Sequence, residues 1–251
     1  MMRPKCAWRF ALLLAVTVMS GVTTAGLARA DNSIVFTTED YPPYNFKENG
    51  VDKGVGYEQV VLMMKDIGIP YSIEMMPWAR AIALAENEQM TCVFSTAHIP
   101  ERDGRFKWVE PLLIDRNIIM SRKGSGIKVG NVDEARHYLA GTQRDDYTQS
   151  LLERQGFPRI DLAADLELTI KKLESGRIDL MPVSEKFYHK LVAEGHPLEK
   201  QFVLTEQKFA IACNKAMPDD LVTKMQVSLD RLIADGTQAR IAAQYGLGPV
   251  N

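Results

Sequence analysis

From Ile34 to Ser95 the chain alternates between two hydrophobic periods, and that alternation restricts the fold more than any other feature. Ile34-Val35-Phe36-Thr37-Thr38 is a β-branched run that stops at Glu39-Asp40-Tyr41-Pro42-Pro43, which reads as a strand entering a rigid loop. Tyr57, Val60, Val61, Met64 and Ile67 then recur at helical spacing, and Gly68 ends the pattern. Tyr71–Met75 is a second strand. Pro77 suits the first turn of a helix with Ala81, Ile82 and Ala85 inward, and Cys92–Ser95 is a third strand. The order β, α, β, α, β is that of a parallel sheet flanked by helices, an α/β fold.

A second set follows. Arg116–Ser121, Tyr138–Thr142, Ile160–Ala163 and Ile178–Val183 are strand-like. Tyr147, Leu151 and Leu152 mark one helix, and Leu166, Ile170 and Leu173 mark another that Gly176 closes. Phe202–Leu204 and Lys208–Asn214 return as strands, Pro218 opens a helix, and Thr237 is placed to cap a last one. Arg122-Lys123-Gly124-Ser125-Gly126 is the best candidate for a crossing between two halves. Its G-x-G does not sit between a strand and a helix in the dinucleotide pattern, so no nucleotide cofactor is expected.

Ahead of this lies a targeting pattern. Arg3, Lys5 and Arg9 precede the apolar stretch Phe10–Val22, and Ala28-Arg29-Ala30 is an A-x-A site, so 1–30 reads as a secretory signal peptide. The apolar run is shorter than the roughly 20 residues a spanning helix needs. Without Arg3, Lys5, Arg9 and Arg29 the 30 basic residues fall to 26, against 32 acidic ones. A mildly acidic chain without Lys/Arg clusters offers no footprint for nucleic acid.

Two cysteines stay in the mature chain, Cys92 and Cys213, both in apolar strand-like runs. A disulfide and a pair of buried thiols packed as small hydrophobes are both open, because a sequence does not supply the Cα separation. No Cys/His spacing resembles a zinc site, and no metal is expected. His98, His137, His189 and His196 are scattered and form no Ser/His/Asp or Cys/His arrangement.

Chemistry concentrates at strand ends. The run Ser95-Thr96-Ala97-His98-Ile99-Pro100-Glu101-Arg102 continues to Phe106-Lys107-Trp108; upstream stand Asp40-Tyr41-Pro42-Pro43-Tyr44 and Pro77-Trp78-Ala79-Arg80. In an open α/β sheet ligands bind beyond the carboxyl ends of the strands, and a guanidinium there suits an anion. The bland alternative is a solvated loop, with Arg102 paired to Glu101 or Asp103.

Together these ordered motifs resemble the amino-acid-type (family 3) periplasmic solute-binding proteins of ABC importers. The resemblance implies a type II periplasmic-binding-protein fold with two lobes, each a mainly parallel sheet flanked by helices, joined by a two-strand hinge. Lobe 1 would be 31–120 with 207–251, and lobe 2 would be 121–206. It implies a periplasmic, monomeric, non-catalytic receptor that closes on a small polar solute and serves an inner-membrane ABC permease or a sensor. A periplasmic enzyme on the same fold, of the prephenate or arogenate dehydratase kind, is the competing implication, with Glu39, Asp145 or Glu185 as acid or base.

Residue by residue, the resemblance assigns Arg102 to a ligand carboxylate, with Ser95 and Ala97 offering hydroxyl and backbone contacts to it. Tyr41 and Trp78 stand where aromatic rings sandwich a ligand, although core packing suits both equally; Tyr44 is a weaker candidate. Glu39 and Arg80 could present opposite charges to the cleft or simply pair with each other. Thr142-Gln143-Arg144-Asp145-Asp146 stands where backbone N–H groups meet the carboxylate, so Arg144 and Asp145 join the candidates, though two aspartates would repel an anion. Relatives that bind α-amino acids carry an Asp where Ser184 falls here, with Glu185 next in line to replace it. That departure opens other solutes: an organic acid, a modified amino acid, a peptide fragment, or a polyamine-like cation held by Glu39, Asp145 and Asp146.

Overall fold

The computed structural model describes residue 1 and residues 33–248, so the signal-peptide reading of 1–30 lies outside the described residues. Residues 33–248 fall into one compact unit. Its first strand is β1 (Ile34–Thr38), followed by a hairpin of β2 (Phe46–Glu48) and β3 (Val51–Lys53), helix α1 (Val55–Ile67), β4 (Tyr71–Met75), α2 (Trp78–Asn87) and β5 (Thr91–Ala97). A single 3-10 turn, Pro100–Arg102, leads to β6 (Phe106–Arg122).

The later half runs α3 (Val132–Ala135), β7 (Ala140–Gln143), α4 (Tyr147–Arg154), β8 (Ile160–Ala163), α5 (Leu166–Glu174), β9 (Leu180–Ser184) and α6 (Glu185–Ala193). It closes with β10 (Leu198–Asn214), α7 (Asp219–Ala234) and α8 (Thr237–Gln244).

Eight strands form one sheet in the order β4-β1-β5-β10-β6-β9-β7-β8. Parallel pairs flank it on both sides, β1 with β4 and β5, and β7 with β8 and β9. The resemblance implies a sheet in each half, the two linked by a pair of strands. They are joined because β6 and β10, 17 residues each, run antiparallel to one another through both halves. Arg122 ends β6, and Lys123, Gly124 and Ser125 form a turn and bend beyond it rather than a crossing. Thr237 is the first residue of α8, not its cap; Gly236 at φ 75° precedes it without a side-chain cap.

Under the first half, Ile34, Phe36, Met63, Met64, Phe94 and Leu112 pack with α7 through Met225 and Leu229. Ile118, Met120, Leu173, Ile178 and Phe187 form the corresponding core of the second half. Each such fully buried side chain contributes about 1.5–3 kcal/mol. Cys92 and Cys213 face each other across β5 and β10 and are joined in a disulfide, with Cα atoms 3.9 Å apart. Among the described residues no helix is long and apolar enough to cross a membrane.

Candidate functional site

The fold brings the carboxyl ends of β1, β5, β7 and β9 together over the middle of β6. Arg102 leaves the 3-10 turn that Pro100 opens, and its side chain is 3% exposed. Nη1 donates to the carbonyl of Ala97 at 3.2 Å and Nη2 to the carbonyl of Asp145 at 2.7 Å. The guanidinium lies 5.5 Å over the Trp78 ring, whose Nε1 donates to the same Asp145 carbonyl at 2.9 Å. Burial lowers the Arg102 pKa to about 10, which leaves it charged at neutral pH.

Neither carboxylate beside it in sequence is its partner. Glu101 pairs with Arg154, and Asp103 with His98 at 2.8 Å. Among the described residues Arg102 makes no ion pair; the buried cation is held by two carbonyl oxygens and the Trp78 face, with the charge of Asp146 acting on it without direct contact. A buried charge of this kind is costly unless an anion meets it.

Across from it Glu39 carries the opposite problem. Burial raises its pKa to about 8, the negative charge of Asp146 adds to the rise, and the Gln143 amide, donating at 3.0 and 3.2 Å, opposes it. Asp146 is also raised, chiefly by burial; its Oδ1 accepts from Thr148 N at 2.9 Å and caps α4. Beside Glu39 a groove of about 430 Å³ opens, with Asp40, Lys47, Met76, Asp165 and Glu167 around it.

A hydroxyl network closes the other side. Tyr44 donates to Asp115 and lies 2.6 Å from Ser184 Oγ, and Ser184 N donates to the Tyr41 hydroxyl at 3.0 Å. Ser184 also caps α6, accepting from Lys186 N and Phe187 N at 3.2 Å each. The Tyr41 ring centroid lies 4.8 Å from Phe187 and 5.4 Å from Tyr44. Burial raises Asp115 despite its hydrogen bonds to Ser184 and Tyr44.

Of the residues singled out from sequence, Glu39, Tyr41, Trp78, Ala97, Arg102 and Ser184 are brought into this cluster, Ala97 through its carbonyl. Asp145 enters differently from the expectation: its side chain is exposed, and its carbonyl is turned inward by a backbone at φ 60°. Arg80 and Arg144 stay outside, exposed and without a side-chain hydrogen bond among the described residues, since α2 and the β7 turn direct them to solvent. Ser95 also departs, because φ 56° turns its Oγ toward α1, where a Cβ on Gly56 would fall 2.5 Å from it. Glu185 does not replace the missing acid; it pairs with Arg116 and Lys200, each at 2.5 Å. Asp115, Asn117 and Tyr147 were not singled out. The signal for Asp115 and Asn117 was the polar run Asp115-Arg116-Asn117 set between the apolar stretches Leu112–Ile114 and Ile118–Met120 of β6.

Residues 34–248 match the family model described as bacterial extracellular solute-binding proteins, family 3. The chain belongs to that family. It is 22% identical over 196 residues to the arginine-binding extracellular protein ArtP of Bacillus subtilis (strain 168), covering 74% of each chain. An ancestral arginine-binding protein bound to arginine shares the fold with a TM-score of 0.77 at 17% identity, covering 85% of this chain and 98% of that one. A histidine kinase sensor domain with similarity to periplasmic binding proteins does so with a TM-score of 0.78 at 19% identity, over 86% and 98%. The fold of this family 3 protein is thus the type II periplasmic-binding-protein fold.

Proposed function

We propose that this family 3 protein is a periplasmic, monomeric receptor that captures a small polar, carboxylate-bearing solute between two hinged lobes and delivers it to an ABC permease in the inner membrane. The lobes are 31–120 with 207–251 and 121–206, and β6 and β10 are the hinge. One observation carries the reading: Arg102 is a buried guanidinium without an ion pair, positioned where both halves reach it. Arginine's planar donors suit bidentate contact with a carboxylate, which would supply the missing anion. Closure of hinged domains on a solute is a known mode of motion. Stability should therefore rise with ligand concentration. A thermal-shift screen of amino acids, organic acids and polyamines tests this: a concentration-dependent rise with at least one carboxylate is expected, and no shift at saturating levels contradicts it.

Glu39 favours a second reading, a dehydratase-like enzyme. A carboxyl with a pKa of about 8 in the cleft is the kind of group general acid catalysis needs. Asp145, with its side chain in solvent, and Glu185, held by two cations, lack that environment. Incubation with prephenate decides it: an ultraviolet spectrum of product establishes turnover, and an unchanged spectrum leaves the receptor.

A further inference from the structure

The turn that carries Arg102 is short and is tied down from outside. Its own backbone bonds are those of a single 3-10 turn, from Arg102 N to the Ile99 carbonyl at 2.9 Å and from Asp103 N to that of Pro100 at 3.3 Å. A helix this short does not hold itself, since nucleation fixes several dihedral angles for each bond made.

His98 supplies the tie. Its Nδ1 lies 2.7 Å from a carboxylate oxygen of Glu110 on β6, and its Nε2 lies 2.8 Å from one of Asp103, the residue after the turn. The ring stacks on Trp108, with centroids 3.9 Å apart and planes 13° from parallel. Trp108 and Glu110 alternate along β6 and so stand on one face, where they seat the imidazole. The His98 main chain is fixed as well: its N donates to the Lys208 carbonyl at 3.3 Å, and Gln207 Nε2 donates to its carbonyl at 3.2 Å. One residue earlier, the Ala97 carbonyl accepts from Arg102 Nη1.

Both ring nitrogens face carboxylate oxygens, and only the imidazolium has an N–H for each of them. A neutral ring donates from one nitrogen and turns a lone pair toward the other carboxylate, so one tie is lost. The charged groups around the ring are Asp103 from the turn, Glu110 from β6 and, from β10, Lys208, whose Nζ lies 3.5 Å from Glu110. Arg105 is taken by Glu86 and Lys107 by Asp219. Two carboxylates against one ammonium leave a negative seat for a cation.

We propose that His98 is a positioning residue for the Arg102 anchor: as imidazolium it straps Asp103 to Glu110 across the turn and holds the guanidinium ready for a solute carboxylate, without touching the solute itself. Capture is therefore tighter on the acid side of neutrality, since histidine changes charge between about pH 5 and 8. This rests on the receptor reading above.

Calorimetric titration at about pH 5.5 and about pH 8 tests it in the natural mature chain, His98→Gln and His98→Arg. The probes are L-arginine, L-glutamine, L-lactate and any further carboxylate that raises the melting temperature. Glu39 titrates at about 8 in all three proteins, so the result is read as the difference between each variant and the natural chain. His98→Gln should bind about fivefold more weakly than the natural chain at the lower pH, the scale of one exposed ionic bond, and equally at the higher. In His98→Arg the guanidinium stays charged, stacks on an aromatic ring and has donors for both carboxylates, so it should match the natural chain at the lower pH and bind about fivefold more tightly at the higher. Amide exchange at Arg102 without solute should follow the same pattern, which a residue touching the solute would not produce. The same pH dependence in the natural chain and His98→Gln, or equal Arg102 exchange in the two, overturns the inference and leaves the receptor intact. Failure of every carboxylate to bind the natural chain at either pH overturns both.

Discussion

Arg102 and Asp145 meet across the cleft at 2.7 Å, guanidinium to backbone carbonyl, and Trp78 donates to the same oxygen. A carbonyl carries only a partial charge, so this contact orients the guanidinium without neutralising it. A solute carboxylate would do both, through the N–H donors of Arg102 that the Ala97 and Asp145 carbonyls leave free. The left-handed backbone at Asp145, unusual for a residue with a side chain, is what presents that oxygen.

Glu39 should make stability pH-dependent in an unusual direction. Unfolded, its carboxyl releases a proton near 4.5; folded, it holds the proton up to about 8. Between those values the native state binds more protons than the unfolded one, so this residue's contribution falls as pH rises and levels off above 8. Glu39→Gln keeps an acceptor for Gln143 and does not titrate. Urea unfolding from pH 5 to 8.5 should show the variant gaining on the natural protein as pH rises, by on the order of 2 kcal/mol at the top, a figure discounted for the carboxyl's partial exposure. A constant difference across the range contradicts the placement of Glu39.

The disulfide closes a loop spanning 121 positions, which includes the whole second half. Replacing both cysteines with alanine should lower stability by about 2–5 kcal/mol, read from urea midpoints with the slope unchanged. Thiol titration of the oxidised protein should find no free thiol at either position. Two reactive thiols in the denatured, unreduced protein would contradict the bridge.

Gly54 ties helix α1 to the cleft. At φ 124° it takes a conformation few residues adopt, and an added Cβ would fall 2.4 Å from the Tyr44 carbonyl. Gly54→Ala should cost more than about 2 kcal/mol and shift Tyr44, whose hydroxyl serves Asp115 and Ser184. Denaturation curves check the first effect, and a change in ligand affinity in the folded fraction checks the second.

Much of the fold was legible because periodicity reports it directly. Ile34–Thr38, Tyr71–Met75 and Ile160–Ala163 appear with the bounds their residues suggest. The first part of β6 was hidden, since Glu110, Pro111 and Asp115 interrupt its apolar run; Pro111 is tolerated in a strand that shifts register opposite Phe209 and Ile211. Helix α6 was hidden because it begins at Glu185, directly after Ser184 ends β9, with no turn residues between them to announce it. At the site, residue type pointed to Arg102 but could not show its burial, because Pro100-Glu101-Arg102 has the composition of a solvated turn. The contributions of Ala97 and Asp145 come from backbone carbonyls, which any residue supplies, and the paths of Arg80 and Ser95 were set by helix phase and by a left-handed φ rather than by chemistry.

The measurement that bears most directly on the receptor is a calorimetric titration of a carboxylate ligand from the thermal-shift screen into the natural protein and into Arg102→Ala. Truncating one member of a buried charge pair costs about 2–5 kcal/mol, so affinity should fall by roughly thirtyfold or more. Equal affinity in the two proteins would place the carboxylate elsewhere and remove Arg102 as its anchor.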